Sequence, residues 1–87
     1  MAKYKIALRR SVLTDLKPIP KKDVKRILAA IESLADNPRP PQCRKLSNEE
    51  KYRLRCGVYR ILYSIEDHKL IVCIVKVGHR KDVYRSL

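Results

Sequence analysis

The last third of this chain limits its fold most. Three strand-like segments follow one another there: Lys51 to Cys56, Val58 or Tyr59 to Glu66, and Leu70 to Val77. Only tight turns separate them, so they must run antiparallel, because a parallel return needs a crossover of a dozen residues or more. Gly57 suits the positive φ of the first turn, and Asp67-His68 marks the second. Leu70-Ile71-Val72-Cys73-Ile74-Val75 is apolar on both faces, which predicts the most buried strand.

The N-terminal half supplies what covers this sheet. Lys3 to Arg9 alternates, with Tyr4, Ile6 and Leu8 on one side, and reads as a first strand. Ser11 can cap a short helical stretch carrying Leu13 and Leu16, which Pro18 and Pro20 break. In the next segment Val24, Ile27, Leu28, Ile31, Leu34 and Ala35 recur at three- and four-residue steps, forming one apolar helical stripe. Asn37-Pro38 stops that helix, and a loop carrying Arg44 and Lys45 runs to about Glu50. The predicted fold is α+β: a small antiparallel sheet of about four strands, in the order β-α-α-β-β-β, with two N-terminal helices on one face. Residues 1–87 read as a single domain with one core.

Charge narrows the partners. Twenty-one Lys and Arg against nine Asp and Glu give a formal net charge of +12, the electrostatic footprint of a chain that meets a polyanion. Cys43, Cys56 and Cys73 form no C-x-x-C pair, and His68 and His79 complete no zinc pattern, so neither a metal nor another cofactor is expected. Lys3, Lys5, Arg9 and Arg10 interrupt every early apolar run, and no stretch reaches membrane-spanning length. The expectation is a cytoplasmic protein with reduced thiols, Cys56 and Cys73 acting as small strand hydrophobes.

Hairpin register then places the basic groups. With Gly57 and Val58 as the turn, Cys56 faces Tyr59, Arg55 faces Arg60, Leu54 faces Ile61 and Arg53 faces Leu62. Arg53, Arg55 and Arg60 share one face, predicted to point outward, while Tyr52, Leu54, Cys56, Tyr59, Ile61 and Tyr63 share the other. Like charges directly opposed across a ladder are destabilising unless they share a counter-charge, and phosphate suits paired guanidinium forks. Beyond the third strand lie His79, Arg80 and Tyr84. Arg80 can add a phosphate clamp, Tyr84 a hydroxyl or a stacking ring, and His79 an imidazole able to donate or accept a proton.

Taken together, Asp36-Asn37-Pro38, Arg44-Lys45-Leu46, Tyr52-Arg53-Leu54-Arg55, Gly57-Val58-Tyr59-Arg60-Ile61-Leu62-Tyr63 and Val77-Gly78-His79-Arg80-Lys81-Asp82-Val83-Tyr84 resemble the RelE-type toxins of the RelE/ParE toxin–antitoxin superfamily over essentially the whole length. The resemblance implies a ribosome-dependent, metal-independent mRNA endonuclease acting in the ribosomal A site. In such proteins the ribose 2′-hydroxyl attacks the neighbouring phosphorus, leaving a 2′,3′-cyclic phosphate and a 5′-hydroxyl. The family's functional set falls on Arg53, Arg55, Arg60, Arg80 and Tyr84. Further RNA- or ribosome-binding charge falls to Lys21, Lys22, Lys25, Arg26, Arg44, Lys45, Lys81 and Arg85. A cognate antitoxin in a hetero-oligomer and the ribosome are the implied partners, and no membrane is.

Two departures matter. The archetypal relative has lysines where this chain has Arg53 and Arg55, and arginine barely titrates. That moves proton transfer toward Tyr84, His79 or Lys51. The chain also runs only three residues past Tyr84, so the C-terminal helix of some relatives is expected to be short or missing. A gyrase-poisoning toxin of the ParE branch and a non-catalytic nucleic-acid-binding module are the competing readings.

Overall fold

The computed structural model describes residues 3–46 and 51–79. Among them the elements are β1 (Lys5–Leu8), α1 (Arg10–Leu16), α2 (Lys21–Ser33), β2 (Cys43–Lys45), β3 (Tyr52–Cys56), β4 (Tyr59–Glu66) and β5 (Ile71–His79). The described strands form one five-stranded sheet in the order β1-β5-β4-β3-β2, with both helices on one face.

The predicted α+β architecture holds, with two corrections to the sheet. It is mixed, because β1 pairs parallel to β5, Lys5 opposite Ile71 through Leu8 opposite Ile74. The two helices and three strands between them provide the long crossover that a parallel pair requires. The fifth strand, β2, was expected to be loop. Cys43–Lys45 instead pairs antiparallel with β3, Cys43 opposite Leu54 and Arg44 opposite Arg53. Three residues are too few for alternation to show in sequence.

Local chemistry explains the helices and differs from expectation at their starts. The N-cap of α1 is Arg9 rather than Ser11, and no side chain caps it. Pro20 is the N-cap of α2, its carbonyl accepting from the Asp23 and Val24 N–H groups. The stripe on α2 buries Ile27 and Ile31, and Leu34 and Ala35 continue it; Leu28 lies at its margin and is exposed. Under it lie Leu54, Ile61, Tyr63, Val72, Ile74 and Val77, with Val12 of α1.

The most buried strand is β4, not β5. Residues 60–63 are buried in succession because β4 is the middle strand of the five, with ladders on both sides. A register shift at Leu62/Tyr63 breaks the β4–β5 ladder, the mark of a bulge. The hairpin between β3 and β4 follows the predicted register in full, with Gly57 at φ +60 as its first turn residue.

An Ile27→Ala substitution is expected to cost about 2–5 kcal/mol, because it opens a cavity under the helix layer. Leu28→Ala, at the stripe margin, is expected to cost under about 1 kcal/mol by the smaller area it removes from contact. Urea unfolding of the two variants checks the contrast.

Candidate phosphate-binding face

The sheet face opposite the helices carries the candidate site. Arg55 of β3 stands directly opposite Arg60 of β4, and Arg53 stands opposite Leu62. The β2 strand then adds Arg44 to this face, directly opposite Arg53. Four arginines thus share one surface across three strands, two of them neighbours along β3. Lys51 precedes β3, its carbonyl accepting from the Leu46 N–H at 2.9 Å.

Burial differs sharply among them. Arg55 and Arg44 are exposed and Arg53 is half-buried, but Arg60 is only 6% exposed. The expectation that all three hairpin arginines point into solvent is therefore corrected at Arg60. Its strand lies in the middle of the sheet. Opposite Arg60 on β5 is Gly78, which adds no side chain beside the guanidinium. A groove of about 270 Å³ lies alongside, lined by Pro41, Gln42, Arg44, Arg53 and Arg55. Sequence reading missed Pro41 and Gln42, which carry no local signal and enter through the β2 pairing.

Other candidates lie elsewhere. His79 stands opposite Tyr59, whose side chain packs on the helix-side core, and its ring meets Tyr59 edge-on at 6.3 Å and 81°. With Thr14, Asp15, Pro18, Ile19, Tyr59 and Lys76 it lines a hollow of about 380 Å³ on the helix side. Asp15 anchors that hollow by accepting from the Val77 N–H at 3.2 Å. The register thus sets His79 on the opposite face from the arginines. Burial, and then a hydrogen bond donated to Asp23 Oδ2 at 3.2 Å, raise the Tyr59 pKa. Lys21, Lys22, Lys25 and Arg26 are exposed on α2. Arg26 reaches the hairpin tip, beside Cys56 and Val58. Lys45 stands opposite Tyr52, one position off the arginine face. Arg80, Lys81, Tyr84 and Arg85 lie outside the described residues.

A polar clamp holds the far end of the sheet and was not visible in sequence. Arg39 donates both terminal nitrogens to Asp67, at 3.0 and 2.9 Å, and its Nε to the Tyr52 hydroxyl at 3.1 Å. The Tyr4 hydroxyl donates to the same carboxylate at 2.7 Å. Tyr63, buried and stacked on Tyr52 with centroids 5.7 Å apart, donates to the Pro38 carbonyl at 2.8 Å. Burial drives the Tyr63 pKa far above its ordinary value. This clamp fixes the chain leaving α2, and so the segment that delivers Gln42 and Arg44.

Two helices thus lie over one face of a mixed sheet, and arginines align on the other. The family described as "ParE toxin of type II toxin-antitoxin system, parDE" matches residues 6–84. Toxin RelG of Mycobacterium tuberculosis is 35% identical over 88 residues, covering 94% of this chain and 97% of its own. The structure of an archaeal RelE-RelB complex from Pyrococcus horikoshii superposes with a TM-score of 0.80 at 28% identity, over 92% of this chain and 97% of that one. The toxin-antitoxin complex RelBE2 from M. tuberculosis gives 0.79 at 27% identity, over 90% and 99%. The chain belongs to the RelE/ParE superfamily, as the toxin of a type II toxin–antitoxin system, and within it is a RelE-type toxin.

The Arg39 guanidinium, and then the Tyr4 hydroxyl, hold the Asp67 carboxyl down at about 2. A depressed folded-state pKa contributes stability above the unfolded value of about 4, lost as pH falls through the folded value. Acid unfolding between pH 4 and 2 is therefore expected to steepen through Asp67 (both limits approximate). Asp67→Asn is expected to lower stability at neutral pH and to flatten the profile in that window, as read by circular dichroism.

Proposed function

We propose that this toxin is a ribosome-dependent endoribonuclease that cuts mRNA in the A site by 2′-hydroxyl attack. The observation that carries the reading is the aligned pair Arg55 and Arg60, opposite each other on the face away from the helices, with Arg53 beside them. In the reaction the 2′-oxygen bonds to phosphorus as its proton leaves to a base. The bond from phosphorus to the 5′-oxygen breaks, and that oxygen takes up a proton. Negative charge builds on the phosphoryl oxygens between these steps, where fixed guanidinium groups stabilise it most. Buried Arg60 is the preorganised donor of the set, and exposed Arg55 meets it from the neighbouring strand.

Arg80 follows the end of β5 directly in sequence and is assigned to hold the phosphate or assist the leaving oxygen. Tyr84 is assigned to stack on the A-site base or to accept the 2′-hydroxyl proton. Accepting that proton needs the ordinary phenol pKa of about 10 to be lowered, which clustered arginines do. Aligning the 2′-oxygen with the scissile bond supplies much of the acceleration, since positioning alone is worth several kcal/mol. His79, on the helix side in this structure, and Lys51 are the remaining acid–base candidates. Lys21, Lys22, Lys25, Arg26, Lys45, Lys81 and Arg85 are assigned to ribosomal RNA. A cognate antitoxin is the expected partner, supported by the RelE relatives whose structures are complexes with RelB.

Primer extension on a reporter mRNA with translating ribosomes is expected to give in-frame, codon-linked cuts. Inhibition confined to gyrase supercoiling would reject the ribonuclease in favour of the ParE-type activity. Arg55→Ala is expected to slow single-turnover cleavage by about 10²–10³, the usual loss for one transition-state donor. Tyr84→Phe is expected to abolish toxicity while salt-dependent RNA binding remains. Retained toxicity in Tyr84→Phe would remove the proton-accepting role. His79→Gln is the test of the histidine: an unchanged cleavage rate and pH profile exclude it from proton transfer.

A further inference from the structure

The arginine face carries two like-charged pairs, and the proposed cleavage centres on one of them. Arg55 and Arg60 are directly opposed across β3 and β4, while Arg44 and Arg53 are directly opposed across β2 and β3. Arg53 and Arg55 are two residues apart on one strand. From strand rise and strand spacing, the midpoints of the two pairs lie about 8 Å apart, diagonally across the sheet. That separation, with the reach of the guanidinium stems, suits adjacent phosphates of one extended RNA strand. The groove of about 270 Å³ is lined by Arg44, Arg53 and Arg55 with Pro41 and Gln42, and not by Arg60. It therefore extends from Arg55 toward the β2 edge, away from the buried arginine.

We infer that the Arg44–Arg53 pair and its groove form a second phosphate subsite, which takes the phosphodiester next to the scissile one. The inference rests on the ribonuclease reading for the identity of its ligand, and adds a register to it. The substrate lies diagonally across the sheet, with one phosphate at Arg55/Arg60 and the next at Arg44/Arg53. Gln42 supplies the groove's uncharged side-chain donor and acceptor, beside the sugar or base that joins the two phosphates.

The test uses the full-length toxin and oligoribonucleotides carrying 2′-deoxyribose at the cleavage position, so that binding is read without cutting. A dinucleotide presents one phosphodiester and a trinucleotide two. Each is titrated over a range of salt, with and without a neutral methylphosphonate in place of the second phosphate. The trinucleotide is expected to show a log K against log salt slope steeper by about 0.7 than the dinucleotide. Arg44→Ala is expected to remove that increment and the added affinity, and to weaken dinucleotide binding by much less. Arg44→Lys is expected to restore the slope. On the methylphosphonate trinucleotide, Arg44→Ala is expected to have no effect.

Equal weakening of both oligomers by Arg44→Ala, persistence of its effect on the methylphosphonate, or no salt-dependent trinucleotide binding overturns the proposal. Unchanged RNA slopes with loss of poly-glutamate binding would also overturn it, assigning the groove to an acidic protein segment. The outcome is separable from the cleavage assay. An Arg44-dependent trinucleotide increment without any mRNA cutting retains the subsite and rejects the ribonuclease. In-frame cutting without that increment does the reverse.

Discussion

Pairing between β3 and β4 is the constraint on which the rest of this molecule depends. Cys56 meets Tyr59 around a two-residue turn whose first member, Gly57, has φ +60. Glycine takes that conformation without a steric cost, and the turn fixes the register of every pair that follows. A slip of one residue would move Leu54, Ile61 and Tyr63 away from the helices and bring arginines into the core. Hydrophobic burial and charge placement therefore select the same register. The helix layer needs Leu54 and Ile61 beneath Ile27 and Ile31, and that alone sends Arg53, Arg55 and Arg60 to the other side.

Within the arginine face, position in the sheet divides the labour. Arg60 lies on the middle strand and is enclosed, so its guanidinium loses little freedom when an anion arrives. Arg44, on the edge strand, is exposed and keeps its rotamer freedom until a ligand holds it. A buried fixed donor suits charge that appears only in a transition state, and exposed arginines suit attraction and binding. The clamp of Arg39, Asp67, Tyr4 and Tyr52 belongs to the same economy of design. By holding the chain as it leaves α2, it determines where β2 can pair, and so whether Arg44 reaches Arg53.

Much of this was legible in the sequence, for identifiable reasons. The α2 stripe spans enough turns for its period to be unambiguous, and the hairpin carries a glycine at its bend with alternation on both sides. Both predictions held, and so did the resemblance to RelE-type toxins carried by the hairpin and late-strand residues. The misses were non-local. Cys43–Lys45 is too short to alternate visibly, and its strand character comes from β3. The parallel pairing of β1 with β5 joins opposite ends of the chain, where no turn residue announces it. The central place of β4 comes from the β3-β4-β5 meander, to which β1 and β2 each add one strand at opposite edges.

By itself the sequence determined the helix stripe, the hairpin register and the division of the hairpin into an apolar and an arginine face. Each is set by neighbours close along the chain, through side-chain period and turn geometry. Only the tertiary structure decided that Arg60 is enclosed while Arg55 is not, that Arg44 joins the arginine face, and that His79 stands on the other one. Those outcomes depend on which strands end up adjacent. Strand order in a sheet is settled by long-range pairing and burial, which local sequence does not encode.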